Sequence, residues 1–394
     1  MNKKVYFKIS IIFICIYSRN DILSNIIKFI SSIKNQNEIK SFDIFDNFCK
    51  NKIKMSKKME KLKNPKVSVI SPICNRERFL IRFLKSIQYQ NFDDIEIILV
   101  DDKSTDNGVK ILEEYQKKDK RIKIIKIKRN KGTFFARNIG VLYSQAKFII
   151  LPDPDDIISK DIINSCLYYA EKYNFEIIRY HPYKGNKKLI KYDNEMSKPI
   201  YQPELQTYLF YANKELKRVD FCINNKMITK KLFIKALNLL NNFYLNLYMI
   251  IQEDQLMIFI LYKTAKSFYY LKKYGYLQKL NSKSICNNKF KLTQMRIKNY
   301  FIYIKLVYEY SKNIKIEKDI TNYLFASINS KINIEKELSS SPFNNDFYFY
   351  YDIINTLLNC KFIFKDNKIL LLKFKKIIEM RNKTFSNSIN MAQL

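Results

Sequence analysis

From residue 66 to residue 151 two hydrophobic rhythms take turns. Short apolar-rich runs, "KVSVISPI" (66–73), "IEIILV" (95–100), "RIKIIKI" (121–127) and "KFIIL" (147–151), have the length and β-branched content of strands. Between them, apolar positions recur at three- and four-residue spacing. In "RFLIRFLKSIQYQ" (78–90) that spacing puts Phe79, Leu80, Phe83, Leu84 and Ile87 on one helical face. Residues 108–118 and "GTFFARNIGVLYSQ" (132–145) read the same way. Strands alternating with helices at this pitch predict βαβ units, hence an α/β fold with a mostly parallel sheet flanked by helices.

Past residue 180 the rhythm loosens. Residues 184–225 are mixed, 230–263 read as helical, and "SFYYLKKYGYL" (267–277) reads as a strand. From 290 onward the pattern is helical, amphipathic and Lys-rich. The expected organisation is a leader and linker over 1–65, an α/β domain over 66–285 and a helical C-terminal extension over 286–394. No internal repeat is visible.

Composition changes this picture in three places. Apolar residues make up 47% of the 394, so a sizeable core is within reach. The net charge of +34, from 71 Lys+Arg against 37 Asp+Glu, would suit a nucleic acid or an anionic membrane surface. The lysines, however, run from Lys3 to Lys383 without gathering into a stripe, and no nucleic-acid motif accompanies them. No specific nucleic-acid partner is expected, and membrane-surface association stays open. Seven scattered cysteines with no C-x-x-C pair indicate neither a zinc site nor a disulfide framework and favour a reducing compartment. The N-terminal apolar run, Ile9 to Tyr17, is too short to span a bilayer. It reads as a short signal or anchor, or as a surface-docked leader, and a cytoplasmic or peripheral membrane location is expected.

In open α/β sheets, ligands sit outside the carboxyl ends of the strands. Four charged or Gly-bearing stretches fall there: "SPICNRERF", "VDDKSTD" (100–106), "KRNKGTFFARN" (128–138) and "LPDPDD" (151–156). A lone strand-end Asp-Asp is ordinarily a turn or a helix cap, but four such stretches at successive ends of one sheet make a site. In "PDPDD", Asp153, Asp155 and Asp156 are crowded together, with Pro154 fixing the backbone between them. Crowded carboxylates repel, and they persist where a cation or proton is shared. The hard divalent cations that travel with diphosphates prefer such oxygens.

The motifs "VSVISPICNRE", "IEIILVDDKSTD", "NKGTFFARNIG" and "PDPDD", taken in order, resemble those of family 2 glycosyltransferases, which have the GT-A nucleotide-diphospho-sugar transferase fold. "QEDQL" (252–256) falls where that family carries its acidic catalytic motif, and "YLQKLNSKSI" (276–285) resembles its tyrosine-rich strand and following turn. The resemblance covers roughly residues 66–285. It implies a metal-dependent inverting transferase that moves a sugar from a nucleotide sugar, a UDP-sugar above all, to a hydroxyl on a glycan, protein or lipid acceptor.

Carried over residue by residue, the resemblance assigns Asp102 to the imino N–H of uracil. Pro72, Asn75, Glu77 and Asp101 stand around the same nucleotide. A simple helix cap is the plainer reading of Asp101 or Asp102. Gly132 and Gly140 bracket a helix start near the phosphates, where Arg137 would add positive charge. Asp155 is expected to bind Mn²⁺ or Mg²⁺ with support from Asp156, while Asp153 lies nearer the ribose or a metal-bound water. Asp254 is expected to be the general base. Glu253 accompanies it in the motif, although an acid at the start of an apolar helical run is also a favourable helix terminus.

Some positions depart from the family pattern. Cys74 stands where Tyr is common, and Lys103 where Gly is common, which puts base stacking and the loop conformation in question. His181, the only histidine, reads as a surface or packing residue. A dinucleotide oxidoreductase is excluded because no G-x-G-x-x-G follows a strand. The alternatives that remain are a nucleotidyltransferase on a related sheet and a degenerate, non-catalytic sugar- or nucleotide-binding module.

Overall fold

The computed structural model describes residues 53–55, 64–184, 199–201, 222–240, 248–250 and 252–278, with single positions 299, 302, 303, 372, 375, 376 and 379. The leader and linker expected over 1–65, and the helical extension expected over 286–394, lie almost wholly outside the described residues.

The first half of the domain follows the hydrophobic rhythm closely. Strands β2 (Val67–Ile73), β3 (Ile95–Asp101), β4 (Ile122–Ile127) and β5 (Phe148–Ile150) alternate with helices α1 (Glu77–Gln88), α2 (Gly108–Lys118) and α3 (Thr133–Tyr143). β2 and β3 are buried at every position. They read as continuous apolar runs because a parallel strand is covered on both faces. α1 buries Phe79, Leu80, Phe83, Leu84 and Ile87, the face its spacing predicted. β4, β3, β2 and β5 pair in that order, all parallel. Their carboxyl ends therefore open on one edge, and the loops that follow them meet there.

The second half is built differently. It comprises β6 (Ile157–Ile158), α4 (Ile162–Tyr173), β7 (Ile177–Lys184), β8 (Ile200–Tyr201), β9 (Lys226–Thr229), α5 (Lys230–Leu239), α6 (Glu253–Thr264) and β10 (Ser267–Gln278). β9 pairs antiparallel with both β5 and β7. β7 runs parallel to β10, and β10 pairs antiparallel with β6 and β8. With β1 (Ile53–Met55) antiparallel on β4, the order is β1-β4-β3-β2-β5-β9-β7-β10-β6. The sheet is thus mixed rather than mostly parallel, because antiparallel β9 sits between the two parallel sets.

α3 packs directly on the central strands at Gly140, where a Cβ would come within 2.2 Å of Ile70 Cγ2. The residue expected near the phosphates is therefore a close-packing contact inside the helix. At the amino ends of the strands lies a buried ion pair. Glu96, fully buried, receives Lys123 Nζ at 2.7 Å, Ser68 Oγ at 2.6 Å, and the backbone N–H groups of Gln145 and Ala146. It fastens the turn between α3 and β5 to the sheet.

Candidate active site

Several residues expected around a nucleotide spend their polar groups on one another and shape the loops. Asp102 is buried just past β3. Its two carboxylate oxygens accept the backbone N–H groups of Lys131 and Gly132, each at 2.7 Å. Its own N–H donates to Ile73 O at 2.8 Å. Burial raises its pKa, with those two amides working against the rise. A carboxylate has roughly four lone-pair positions, so two remain to face a ligand. Gly132 makes the clamp feasible: its φ is 87°, and a Cβ there would meet Met249 O at 2.8 Å. Asp101 Oδ1 accepts Ser104 N at 3.1 Å and closes the turn after β3. Asn130 donates to Cys74 Sγ and Asp102 O, tying the loop after β4 to those after β2 and β3.

The ends of α1 and α2 are joined reciprocally. Asp106 Oδ2 accepts Glu77 N at 2.9 Å, while Glu77 Oε2 accepts Asn107 N at 3.0 Å. Asn75 Oδ1 accepts Thr105 N at 2.8 Å. Glu77 and Asn75 therefore brace the two loops against each other, a use of these side chains that no reading of one loop alone would give. Pro72 lies inside β2, opposite Val100 of β3. Lys103 takes a φ of 63°, so the left-handed backbone that Gly would supply is kept by a residue that adopts it at a cost of roughly 1–2 kcal/mol.

The acidic turn between β5 and β6 gathers Asp153, Asp155 and Asp156, with one carboxylate oxygen from each lying within 4.8 Å of the others. From one side, Arg82 and Ser86 of α1 and Gln90 just past its end hold this turn and the β6 strand that follows it. Arg82 Nη2 donates to Asp155 O at 3.1 Å, Ser86 Oγ accepts Ile158 N at 3.3 Å, and Gln90 Nε2 donates to Ser159 O at 2.8 Å. From the other side come Asn224, just before β9, and Tyr276 of β10. Asn224 Nδ2 donates to Asp153 Oδ2 at 2.6 Å and to Tyr276 Oη at 2.7 Å, and the Tyr276 hydroxyl donates to Asp156 Oδ2.

Arg137, 5% exposed on α3, joins this turn to the start of α6. Its Nη2 donates to Asp153 Oδ1 at 2.6 Å, and its Nη1 reaches Glu253 Oε1 at 3.3 Å and Asp254 Oδ1. Burial works against the charged guanidinium, but the three carboxylates outweigh it and raise its pKa. Instead of standing free for a diphosphate, Arg137 is enclosed by acids. Burial pushes Glu253 up to about 7, with the neighbouring Asp254 adding to the rise. Asp254 is also raised, chiefly by burial, with Arg137 pulling back. Asp254, Asp153, Asp155, Asp156 and Asp102 thus come to one edge of the sheet, and Arg137 holds the first two together.

Asn224 carried no signal of this role, and Tyr276 only its place at the start of "YLQKLNSKSI" (276–285), the stretch that resembles the family's tyrosine-rich strand and turn. Asn224 sits in the Asn-rich run "INNKM", and Tyr276 is one of 29 tyrosines. A third residue, Asn299, lies in the expected extension. Buried, it accepts Ile250 N at 3.0 Å and donates to Tyr248 O at 3.0 Å. The Met249 carbonyl between them accepts Phe134 N in the first turn of α3. His181 is a packing residue, its ring hydrogen-bonded to Tyr270 Oη and edge-on to that ring at 4.8 Å.

A GT-A-like sheet with acidic groups at the carboxyl ends of its parallel strands defines a class, and comparison with known proteins narrows it. Residues 68–237 match the model of glycosyl transferase family 2. An uncharacterized glycosyltransferase of Rickettsia conorii is 39% identical over 127 residues, 32% of this chain and 21% of that protein. The glycosyltransferase GlyG of Streptococcus pneumoniae is 30% identical over 112 residues, 28% of this chain and 37% of that one. The chain therefore spans well under half the length of these relatives. Among solved structures, S. aureus TarS 1-349 superposes with a TM-score of 0.55 at 17% identity, over 81% of this chain and 92% of that one. The same fragment in complex with UDP-GlcNAc gives a TM-score of 0.57. At such identity the likeness establishes the GT-A fold. Among the described residues, no helix is long and apolar enough to cross a membrane.

Proposed function

We propose that this chain transfers a sugar from a nucleoside diphosphate sugar, a UDP-sugar in the first instance, to an acceptor hydroxyl with inversion at the anomeric carbon. One observation carries the reading: a single buried arginine joins Asp153 of the acidic turn to Asp254 of α6. A transferase needs two acidic functions within one small volume, one on the donor diphosphate side and one that takes a proton from the acceptor. The structurally similar TarS fragment, solved in complex with UDP and with UDP-GlcNAc, supports a nucleotide sugar as the ligand class.

The donor set fits a hard divalent ion such as Mn²⁺ or Mg²⁺: three carboxylates close together and no sulfur or imidazole. Asp153 spends one oxygen on Arg137 and the other on Asn224. That division supports Asp155 and Asp156 as the ligands and Asp153 as the link to Arg137. When bound, such an ion would offset the charge of the departing nucleoside diphosphate. Asp254 takes the acceptor's proton. Burial raises its proton affinity above that of an ordinary aspartate, and Arg137 holds it in one orientation. Direct attack by the activated hydroxyl on the face opposite the leaving group gives inversion. Asp102 supports the base subsite with the oxygen capacity its two backbone contacts leave.

A panel of nucleotide sugars, incubated with the chain and Mn²⁺ or with chelator, tests the reading through release of nucleoside diphosphate. Metal-dependent release from a UDP-sugar, with the product anomer inverted by NMR, is expected. Tight UDP-sugar binding without turnover of any acceptor would instead favour the non-catalytic binding module.

A further inference from the structure

We propose that Asn224 and Tyr276 form a positioning relay that ties Asp156, a ligand of the divalent cation in the reading above, to Asp153, the carboxylate that Arg137 holds. The inference deepens, and rests on, the donor-site reading given above. Its basis is a chain of hydrogen bonds in which every available proton is used once. The Asn224 amide has two N–H groups, one for Asp153 Oδ2 at 2.6 Å and one for Tyr276 Oη at 2.7 Å. The phenol has one O–H, and it goes to Asp156 Oδ2. Asn224 and Tyr276 are both buried. The backbone of Asn224 is itself anchored, its carbonyl accepting Tyr180 Oη at 2.8 Å.

The amide orientation has a cost that reveals its purpose. Asn224 Oδ1 is buried and has no hydrogen-bond partner among the described residues, an arrangement that works against folding. Turning the amide over would aim that oxygen at the Asp153 carboxylate, so the unsatisfied atom is what the two donor contacts leave behind. Tyr276 reaches the turn through an irregular strand. The pairing of β10 with β7 shifts register on either side of Tyr274, and Tyr276 then faces Ile158 of β6, two residues beyond Asp156. Register breaks of this kind re-aim a side chain.

Neutral donors suit the task better than cations would. They stabilise the ionised form of each carboxylate and leave its charge in place for a metal ion. A lysine or arginine in place of Tyr276 would compete with that ion for the Asp156 carboxylate. Arg137 contacts Asp153 from the opposite oxygen, so the relay supplies this turn with orientation while Arg137 supplies counter-charge.

The test is a Mn²⁺ titration of the full chain in the presence of UDP, read from the electron paramagnetic resonance signal of free Mn²⁺. Tyr276→Phe keeps the ring and removes only the hydroxyl. It should weaken Mn²⁺ affinity about tenfold, the scale of one hydrogen bond to a charged group, while the thermal midpoint moves by a few degrees at most. Asn224→Ala reads the same link from the other end and should have a similar effect. Because the two act in series, the double variant should be little worse than the poorer single one. In transfer assays KM for the donor should rise more than kcat falls. Wild-type binding of Mn²⁺ with unchanged affinity in folded Tyr276→Phe and Asn224→Ala, or fully additive losses, would overturn the relay alone. Wild-type protein that binds no Mn²⁺ with UDP would overturn the donor-site reading and the relay with it.

Discussion

Two buried charge clusters sit at opposite ends of the same strands, and they are balanced differently. At the amino end, Glu96 faces Lys123 and receives four donors. Charge is matched one to one, and the residues involved hold a turn. At the carboxyl end, the single guanidinium of Arg137 is shared among three acids, Asp153, Glu253 and Asp254. A buried pair that closes on itself does architectural work, whereas several buried acids that share one guanidinium favour a proton or a further cation. The contrast identifies the working end of the sheet without reference to any motif.

The comparison can be broken most forcefully at Lys123. Lys123→Met leaves Glu96 charged and buried without its counter-ion, and stability should fall by about 3–5 kcal/mol in denaturant titration. UDP-sugar affinity of the protein that remains folded should be unchanged by calorimetry. A loss of affinity comparable to that at the other end would dissolve the distinction between the clusters. Next in size, Asp254→Asn should lower kcat by about 10²-fold or more, with donor binding nearly intact, since an amide keeps the shape but accepts no proton. Glu253→Gln should cost less. If it proves the more damaging of the two, the base is Glu253.

The acidic cluster should also show in the pH dependence of folding. Glu253 is pushed up to about 7 from an ordinary 4.5, so the folded chain holds a proton that the unfolded chain has released. The stability this contributes is complete below pH 4.5 and is lost as pH climbs through about 7. His181 runs the other way. Burial, with Arg179 beside it, pulls its pKa down to about 4, so its contribution is lost as pH falls. Measured against Glu253→Gln, where His181 cancels, wild type should lose relative stability between pH 4.5 and 7. A flat difference over that window would remove the uncompensated charge from Glu253. The smallest effect sharpens the loop geometry. Lys103→Gly should stabilise by about 1 kcal/mol or less, because glycine adopts the left-handed φ without the steric cost.

How legible the molecule was depended on how each element is buried. β2, α1, β3, α2 and β4 announce themselves, since strands covered on both faces and a one-sided helix have distinct apolar periods. α4, β7 and β9 do not. β7 reads "IIRYHPYK", with Arg, His and Pro inside it, and four-residue β9 begins with Lys226, which is fully buried. Lys226 is accommodated by hydrogen bonds to Cys222 O and Asn225 Oδ1, partners that no local pattern specifies. The site divides in the same way. The carboxylates were visible because their crowding needs a reason. The side chains that hold them, Asn224, Tyr276 and Asn299, arrive from distant segments and look like any other polar residue of this chain. Arg137 was visible, but its partners lie 16 and 117 residues away, so its role as counter-charge was not.

The four-residue ladder of Arg82, Ser86 and Gln90 along the acidic turn has a consequence for engineering. A single-residue insertion in α1 rotates everything beyond it by about 100°. Such a change between Arg82 and Ser86 would swing Ser86 off Ile158. The acidic turn is therefore a poor unit for grafting between related transferases. What can be transplanted is the turn together with its helix, as one cassette whose length cannot vary.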